Sequence, residues 1–336
     1  MFGAVFIALV SIVAVLGYLI TPDASPQANV QQVNLAAKPP LFSVQMLRIK
    51  KNTEIPKRRW WTKMLYGQVY AYQEIPLSSM RYEGEYVVAT EYSNGSTPRI
   101  LTFHNSSVMK VVNKTYLLGT DKMGRDLLSR LIIGARVSLA VGAVAVAIAL
   151  LLGVLLGALA GYFGGKTDRI IMWFCNVTWS IPTLLMVLAI TLALGKGFWQ
   201  VFVAVGLTMW VDVARLVRGQ VMSIKQKEYI EAARALGYNH WRIIAKHILP
   251  NIIAPLIVVT SANFASAILV EAGLNFLGIG AQPPMPSWGG MIKDHYVYIM
   301  LSAAHLAIVP GVAIVLIVLA FTFVGNGLRY AFGSKN

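Results

Sequence analysis

Cysteine occurs once, at position 175, inside an apolar run. That excludes an intrachain disulfide and a cysteine-built metal site. Acidic residues are scarce as well: 14 Asp and Glu stand against 29 Lys and Arg, for a formal net charge of +15. Charged residues make up only 13% of the 336, whereas 57% are hydrophobic and the mean hydropathy is +0.62. A chain of this composition is an integral membrane protein, divided into spans of about 20 residues each. In such a chain a cationic balance reflects Lys and Arg kept on the cytoplasmic side, so nucleic acid is not expected as a partner.

A nucleotide site is missing too. Gly161–Thr167 reads GYFGGKT, but a P-loop needs glycine where Ala160 stands. It also needs a preceding strand, and this segment joins two spans. Buried carboxylates are few: within the spans the ionisable groups are Asp212, Glu271 and, near the start of the last one, His305. A charge at mid-bilayer costs at least ~2.5 kcal/mol, so each must face protein or water. Asp212 lies one turn from Arg215, which predicts an intrahelical pair. Glu271 has no basic residue within a turn, so its partner lies on another span, on a partner subunit or along a translocation path. His305 is expected at the membrane interface. A self-sufficient ion-coupled transporter would show a carboxylate relay and paired broken helices in two repeated halves. Neither is found, and a membrane-anchored receptor would not need several spans. No cofactor and no metal are expected.

What is present falls into a clear order. Phe2–Ile20 is an uncharged run long enough to cross a bilayer. It lacks the basic n-region of a signal peptide, so it reads as a retained first span (residues 1–20), and the missing basic flank points to a start upstream of Met1. Residues 21–116 form a polar insertion. Its part through Pro56 reads as an extended linker, and Glu85–His104 as a β-hairpin, with Tyr86–Thr90 and Arg99–Phe103 flanking Asn94-Gly95. Lys57-Arg58-Arg59-Trp60-Trp61 mixes cations with tryptophan in the manner of a membrane interface. Residues 117–137 read as an interfacial amphipathic helix with Leu127, Leu128, Leu131 and Ile132 on one face.

A five-span core then covers 138–330. Its spans are placed at about Ser138–Gly161, Ile170–Leu194 with a kink at Pro182, Phe198–Val217, Ile252–Gly280 and Ala303–Leu328. Gly153, Gly157 and Gly161 recur every four residues and allow a neighbouring helix close. Between the spans, 218–250 is a polar, basic loop. Tyr229, Ala233 and Leu236 fall at helical spacing, Gly237 follows as a C-terminal cap, and Asn239 caps a second helix with Trp241, Ile244 and Ile248 on its apolar side. Pro250 closes that helix. Composition alone leaves two readings of this hairpin: lying on lipid headgroups, or docking into another protein.

Three strings carry a family resemblance. Glu231-Ala232-Ala233, three residues, Gly237, nine residues, His247, one residue, Leu249-Pro250 resembles the EAA loop of ATP-binding-cassette importer permeases. Gly119-Thr120-Asp121, then Gly124-Arg125-Asp126 and Ser129-Arg130, resembles the GTDxxGRDxxSR segment of the C-type permeases of dipeptide and oligopeptide importers. Ala281–Gly289 resembles the AQPPxPxWG stretch of the same branch. The resemblance covers about Tyr116 to Arg329; it departs at Asn326, where the family usually has aspartate, and the following Asp-Pro is absent. His247 is the variant that the peptide branch often carries in place of isoleucine.

The resemblance implies an all-α membrane protein of six transmembrane helices in the ABC type I importer (MetI-like) fold, here with a small extracytoplasmic insertion holding the hairpin. It implies a non-enzymatic permease subunit for di- or oligopeptides that forms half of the pathway. Its partners would be a second, B-type permease, two ABC ATPase subunits and an extracytoplasmic substrate-binding protein. Relatives of the branch also carry nickel chelates and certain sugars, and those cargoes stay open. Glu231, Ala232, Ala233, Gly237, His247 and Pro250 would belong to the coupling helix that inserts into the ATPase, and Glu271 to the pathway or an interface. Six spans put both termini on one side. On that side lie Lys166, Arg169 and the basic 218–250 loop, and the other side's short loops hold only Lys196 and Lys293 besides the arginines of 117–137. The positive-inside rule then makes that side cytoplasmic, in what the resemblance implies is a bacterial inner membrane; the insertion is basic too and would argue the reverse, but long loops translocate largely regardless of charge.

Overall fold

The computed structural model describes residues 2–52, 59–95, 97–195 and 197–333. Pro56, Lys57, Arg58, Lys196 and Lys335 lie outside the described residues. The chain divides into two units: Met1–Leu9, Ser138–Gln282 and Ile314–Asn336 form one, and Val10–Val137 with Pro283–Ala313 form the other.

The second unit begins within helix α1 (Phe2–Ile20) and holds a five-stranded antiparallel sheet. Its strands are β1 (Phe42–Lys50), β2 (Tyr72–Glu83), β3 (Tyr86–Glu91), β4 (Ile100–His104) and β5 (Val108–Tyr116), and helix α2 (Trp60–Tyr66) lies between β1 and β2 in sequence. The sheet order is β4-β3-β2-β1-β5. β3 and β4 pair antiparallel from Tyr86↔His104 to Thr90↔Ile100. The pair is the edge of a larger sheet, and part of the expected linker is its β1, with Met46 opposite both Pro76 and Val112. Val44 and Met46 on one face of β1 bury against Leu35 and Tyr116, and Leu47 on the other against Ile75, Leu77 and Ala89. Both faces of the strand are thus covered.

A separate interfacial helix over 117–137 does not form. Residues 117–126 are turn and bridge, and α3 (Leu127–Phe163) runs unbroken for 37 residues. Nothing in it interrupts the helix, and Arg136 is accommodated by donating to three backbone carbonyls.

In the first unit, α3 is followed by α4 (Gly165–Ser180) and α5 (Thr183–Leu194). These meet at 94°, so Pro182 marks a break and not a kink. Proline lacks the donor and clashes with the preceding turn, and it holds Ile181 extended, at φ −95° and ψ 128°. Helix α6 (Phe198–Ile224) continues two turns past the expected Val217, so residues 218–224 belong to it and not to the loop. The glycine stripe of α3 faces it. A Cβ at Gly153, Gly157 or Gly161 would fall 2.4 Å from Val213 Cβ, 2.5 Å from the Ala214 carbonyl oxygen and 2.7 Å from that of Arg218. The two backbones touch there, as small residues at four-residue spacing allow.

Helices α7 (Glu228–Ala235) and α8 (His240–Ile243) form the hairpin, and α9 (Ile253–Phe276) follows it. Helix α10 (Trp288–His295) lies in the second unit, and α11 (His305–Gly333) ends the chain. Among the described residues five helices are long and apolar enough to cross a membrane, or six if the bent α4–α5 pair is one span. Asp212 is exposed, and no ion pair joins it to Arg215 among the described residues. Arg215 instead donates to Asn176 Oδ1 at 2.8 Å and stacks over Trp179 at 4.2 Å, a more favourable place for a delocalised cation than an exposed carboxylate on its own helix.

Candidate functional site

The hairpin is built inward from its apolar residues. Ile230 and Ala233 of α7 and Ile243, Ile244 and Ile248 beyond it bury against Ala158, Val217 and Val221. Tyr229 and Leu236, expected on the buried face, are 47% and 72% exposed, and Trp241 is 61% exposed. The pattern of large residues marked two faces, and the one that packs on the helices behind is Ile230–Ala233.

Gly237 has φ +75° and closes α7. Its N–H donates to the Arg234 carbonyl at 2.9 Å and that of Tyr238 to the Ala233 carbonyl at 3.1 Å, a Schellman closure. Asn239 then caps α8 by accepting the Arg242 N–H on Oδ1 at 2.7 Å. Pro250 does not end this helix: Ile244–Ile248 and Leu249–Ile252 wind on as a π turn and a 3-10 turn directly into α9. An aromatic clasp that spacing did not reveal holds the hairpin down. Tyr162 Oη shares a hydrogen bond with His240 Nδ1 at 2.9 Å, and Lys225 Nζ donates to the Tyr162 carbonyl at 2.5 Å. His247 stacks on Tyr238 at 5.8 Å, and Arg242 covers the same ring at 4.0 Å. Glu231, Ala232, Gly237 and Pro250 remain on the exposed surface, whereas Ala233 is buried.

In the second unit the residues from Gly119 to Arg130 come together as a closed polar cluster. Asp121 is fully buried. Its Oδ1 accepts the N–H groups of Met123 and Arg125 at 2.8 and 2.9 Å, and its Oδ2 takes Arg125 Nε at 2.6 Å and faces Arg130 Nε at 3.6 Å. Arg125 reaches Asn29 Oδ1 at 3.1 Å. Thr120 accepts the Lys38 N–H at 2.9 Å and donates to the Leu35 carbonyl. Asp126 caps α3 by accepting the Ser129 N–H at 2.8 Å and the Ser129 hydroxyl, and that hydroxyl accepts the Asp23 N–H at 2.9 Å. Burial pushes the Asp126 carboxyl up, against the pull of the Ser129 bonds. Gly119 and Gly124 both have positive φ, and a Cβ on Gly124 would sit 1.7 Å from the Gln32 carbonyl oxygen. The motif therefore rivets the start of α3 to residues 23–38.

The rivet extends to α10. Lys122 Nζ donates to Asp294 Oδ1 at 3.0 Å, and the Lys122 N–H approaches His295 Nε2 at 3.4 Å. Burial holds the His295 imidazole below its ordinary value, against the Met291 carbonyl that its Nδ1 contacts at 2.7 Å. The tryptophan of the Ala281–Gly289 string is buried, and Trp288 Nε1 donates to the Leu131 carbonyl at 3.0 Å.

Glu271 is 1% exposed in α9. Ser138 Oγ donates to its Oε2 at 3.3 Å, and Asn275 Nδ2 donates to its Oε1 and, at 3.0 Å, to its backbone carbonyl. Sequence spacing does not single out Ser138, which lies on another helix; Asn275, one turn on from Glu271, is within reach of a periodicity argument. The Asp168–Arg218 pair, with Nη2 to Oδ2 at 2.6 Å, joins α4 to α6 across 50 residues and had no signal in the spacing.

Known proteins resemble the chain along most of its length. Residues 153–335 match the family described as binding-protein-dependent transport system inner membrane component. The glutathione transport system permease protein GsiD of Pectobacterium atrosepticum is 37% identical over 288 residues, covering 85% of this chain and 93% of that protein. Its namesake from Escherichia coli O6:K15:H31 is 42% identical over 217 residues, 65% of this chain and 71% of that one. Among solved structures, the MetNI methionine ABC transporter in an inward-facing conformation aligns at a TM-score of 0.51 and 20% identity, over 61% of this chain and 97% of that chain. Such a likeness speaks for the fold alone. With the family match spanning more than half of its residues and a relative alike over most of its length, the chain belongs to the binding-protein-dependent transport system inner membrane components, the permeases of ABC importers.

Proposed function

We propose that the chain imports small peptides, glutathione-like tripeptides among them, as one of two permeases that enclose the pathway. In this family ATP is hydrolysed by separate ATPase subunits, and the permease works with a partner permease and a substrate-binding protein. The observation that carries the reading is the hairpin. Its inner face is sealed by Ile230, Ala233, Ile243 and Ile248, while Glu231, Ala232, Leu236 and Trp241 stand exposed on a compact, capped scaffold. Exposed Leu236 and Trp241, with an exposed carboxylate on the same capped hairpin, suit insertion into a protein groove. Leu236 lies about 140° around α7 from Glu231, so the surface alone fits lipid or protein, and the family match over this segment is what favours a protein partner.

The assembly is a heterodimer with a B-type permease, two ATPase subunits and a binding protein. Both termini and the hairpin face the cytoplasm, and 21–116 faces outward, a placement supported by the short loops, whose Lys and Arg gather on the hairpin side; the insertion is basic as well but is not counted, because long segments translocate largely regardless of charge. ATP closes the ATPase dimer, the two coupling hairpins approach, and the spans swing from inward- to outward-facing. Peptide cargo is favoured over nickel chelates or oligosaccharides by the glutathione relatives. The test is uptake of labelled glutathione and dipeptides by cells lacking their own peptide permeases and carrying this chain with its partner subunits. Wild-type chain should restore uptake, and Glu231→Lys should abolish it at unchanged membrane abundance. Normal uptake by Glu231→Lys would sink the coupling assignment; uptake of sugars or nickel instead would sink the cargo.

A further inference from the structure

Helix α2 has an apolar arc: at 100° per residue, Trp60, Trp61, Met64 and Leu65 fall within about 140°, with Thr62 and Lys63 opposite. Trp60 is 61% exposed and Leu65 51%. In a soluble domain such a face would be an orphan. Its depth, however, is set by two membrane helices. Arg136 of α3 donates to the Met64 and Leu65 carbonyls at 3.0 and 3.1 Å, and to the Val15 carbonyl of α1 at 3.0 Å. Behind the helix, the Gln68 N–H donates to the Ala24 carbonyl at 2.7 Å, just beyond the end of α1.

Val15 lies five residues before the end of α1, which at 1.5 Å per residue is ~8 Å inside the span. Along α3 no charged residue follows Arg136 as far as Phe163, about 40 Å of helix against a hydrocarbon core of about 30 Å. Arg136 therefore marks a boundary of the apolar core on α3, and Val15 a comparable level on α1. The C-terminal end of α2 is clamped to both.

We propose that α2 is a membrane-interface anchor whose partner is lipid, tying the five-stranded sheet to the bilayer. Tryptophan is enriched at that level because its ring is apolar and its N–H is wet. A short amphipathic helix there buries its apolar side among acyl chains and keeps its polar side at the headgroups. The competing occupant is a protein, the substrate-binding protein above all. Lipid is favoured because Arg136 pins the helix to α1 and α3 at the edge of their apolar stretches. The inference holds whatever the cargo is.

Cys175 is the sole cysteine, so a Cys175→Ala background accepts single nitroxide labels. Trp61→Cys, Leu65→Cys, Lys63→Cys and, as a sheet reference, Tyr82→Cys would be made in the full chain. Each would be placed in nanodiscs of phosphatidylethanolamine and phosphatidylglycerol. Labels at 61 and 65 should favour oxygen over a water-soluble nickel chelate several-fold more than the label at 82, with the label at 63 in between. Chelate access at 61 and 65 equal to that at 82 would overturn the proposal. So would shielding that appears only when the binding protein is added. A label disturbs the arc itself, so a second measurement uses unlabelled chains. Quenching of tryptophan fluorescence by lipids brominated near the headgroup should fall in Trp60→Phe/Trp61→Phe relative to wild type, and unchanged quenching would refute the anchor.

Discussion

Replacing Asp121 by asparagine keeps the size of the side chain and removes one charge from the centre of the rivet. Its carboxylate is fully buried and counters two guanidiniums, Arg125 at 2.6 Å and Arg130 at 3.6 Å, whose side chains are 4% and 5% exposed. Asparagine can keep the N–H bonds of Met123 and Arg125 on its oxygen, but its amide nitrogen then meets Arg125 Nε, donor against donor. Breaking a buried pair by removing one partner costs about 3–5 kcal/mol, because the remaining charge has nowhere to go. Asp121→Asn should lie in that range, measured by unfolding of the purified full chain in detergent. Arg125→Gln in the same background should recover part of the loss, since contacting residues couple by about 0.5–3 kcal/mol. Because the cluster's partners are residues 23–38 and the start of α3, its loss should act on folding, and the surviving molecules should transport with an unchanged KM and only a lower maximal rate. Stability of Asp121→Asn within ~0.5 kcal/mol of wild type, the range of an ordinary surface change, would refute the reasoning.

Two glycines should respond differently to alanine. Gly237→Ala meets nothing within 4 Å, so only its positive φ is penalised, about 1–2 kcal/mol; Gly124→Ala drives a Cβ into the Gln32 carbonyl and should exceed ~4 kcal/mol, both read by thermal unfolding. The sheet should weaken in acid. Burial alone would raise the Glu74 carboxyl, but Lys114 and Arg48 hold it below the usual range. A depressed value means that Glu74 stabilises fully above its unfolded value and loses this as pH falls through the folded one, so Glu74→Gln should flatten that part of the pH–stability curve. Glu271→Gln, which can still bond Ser138 and Asn275, should fold and transport, whereas Glu271→Ala removes the side-chain acceptor of both, leaving Asn275 its bond to the backbone carbonyl, and should cost about 1–3 kcal/mol in unfolding assays. Loss of transport in a stably folded Glu271→Gln would instead make the carboxylate's charge part of the pathway.

Local signals were the legible ones. Asn239 and Gly237 could be read because a cap and a left-handed residue depend on a few neighbours, and the glycine stripe because one period sets one face. The pairing of β3 with β4 rests on a nearby turn. The pairing of β1 with β5 closes a loop of some 60 residues and has no local mark. Pro182 announced a disturbance, but whether a proline kinks or breaks a helix depends on what the neighbours satisfy. Proximity along one helix pairs Arg215 with Asp212, but the partners it takes, Asn176 and Trp179, come from another. In the hairpin, Tyr229 and Leu236 looked like core residues because large apolar side chains usually are. Under the proposed coupling role an ATPase subunit would cover them.

The most direct test of the coupling claim is photo-crosslinking from the hairpin in the assembled transporter. With benzoylphenylalanine in place of Leu236 or Trp241, both exposed, the adduct should be an ATPase subunit. In place of Ile243, which is buried, no intersubunit adduct should form. Adducts of Leu236 and Trp241 with lipid alone, or with the substrate-binding protein, would contradict the account.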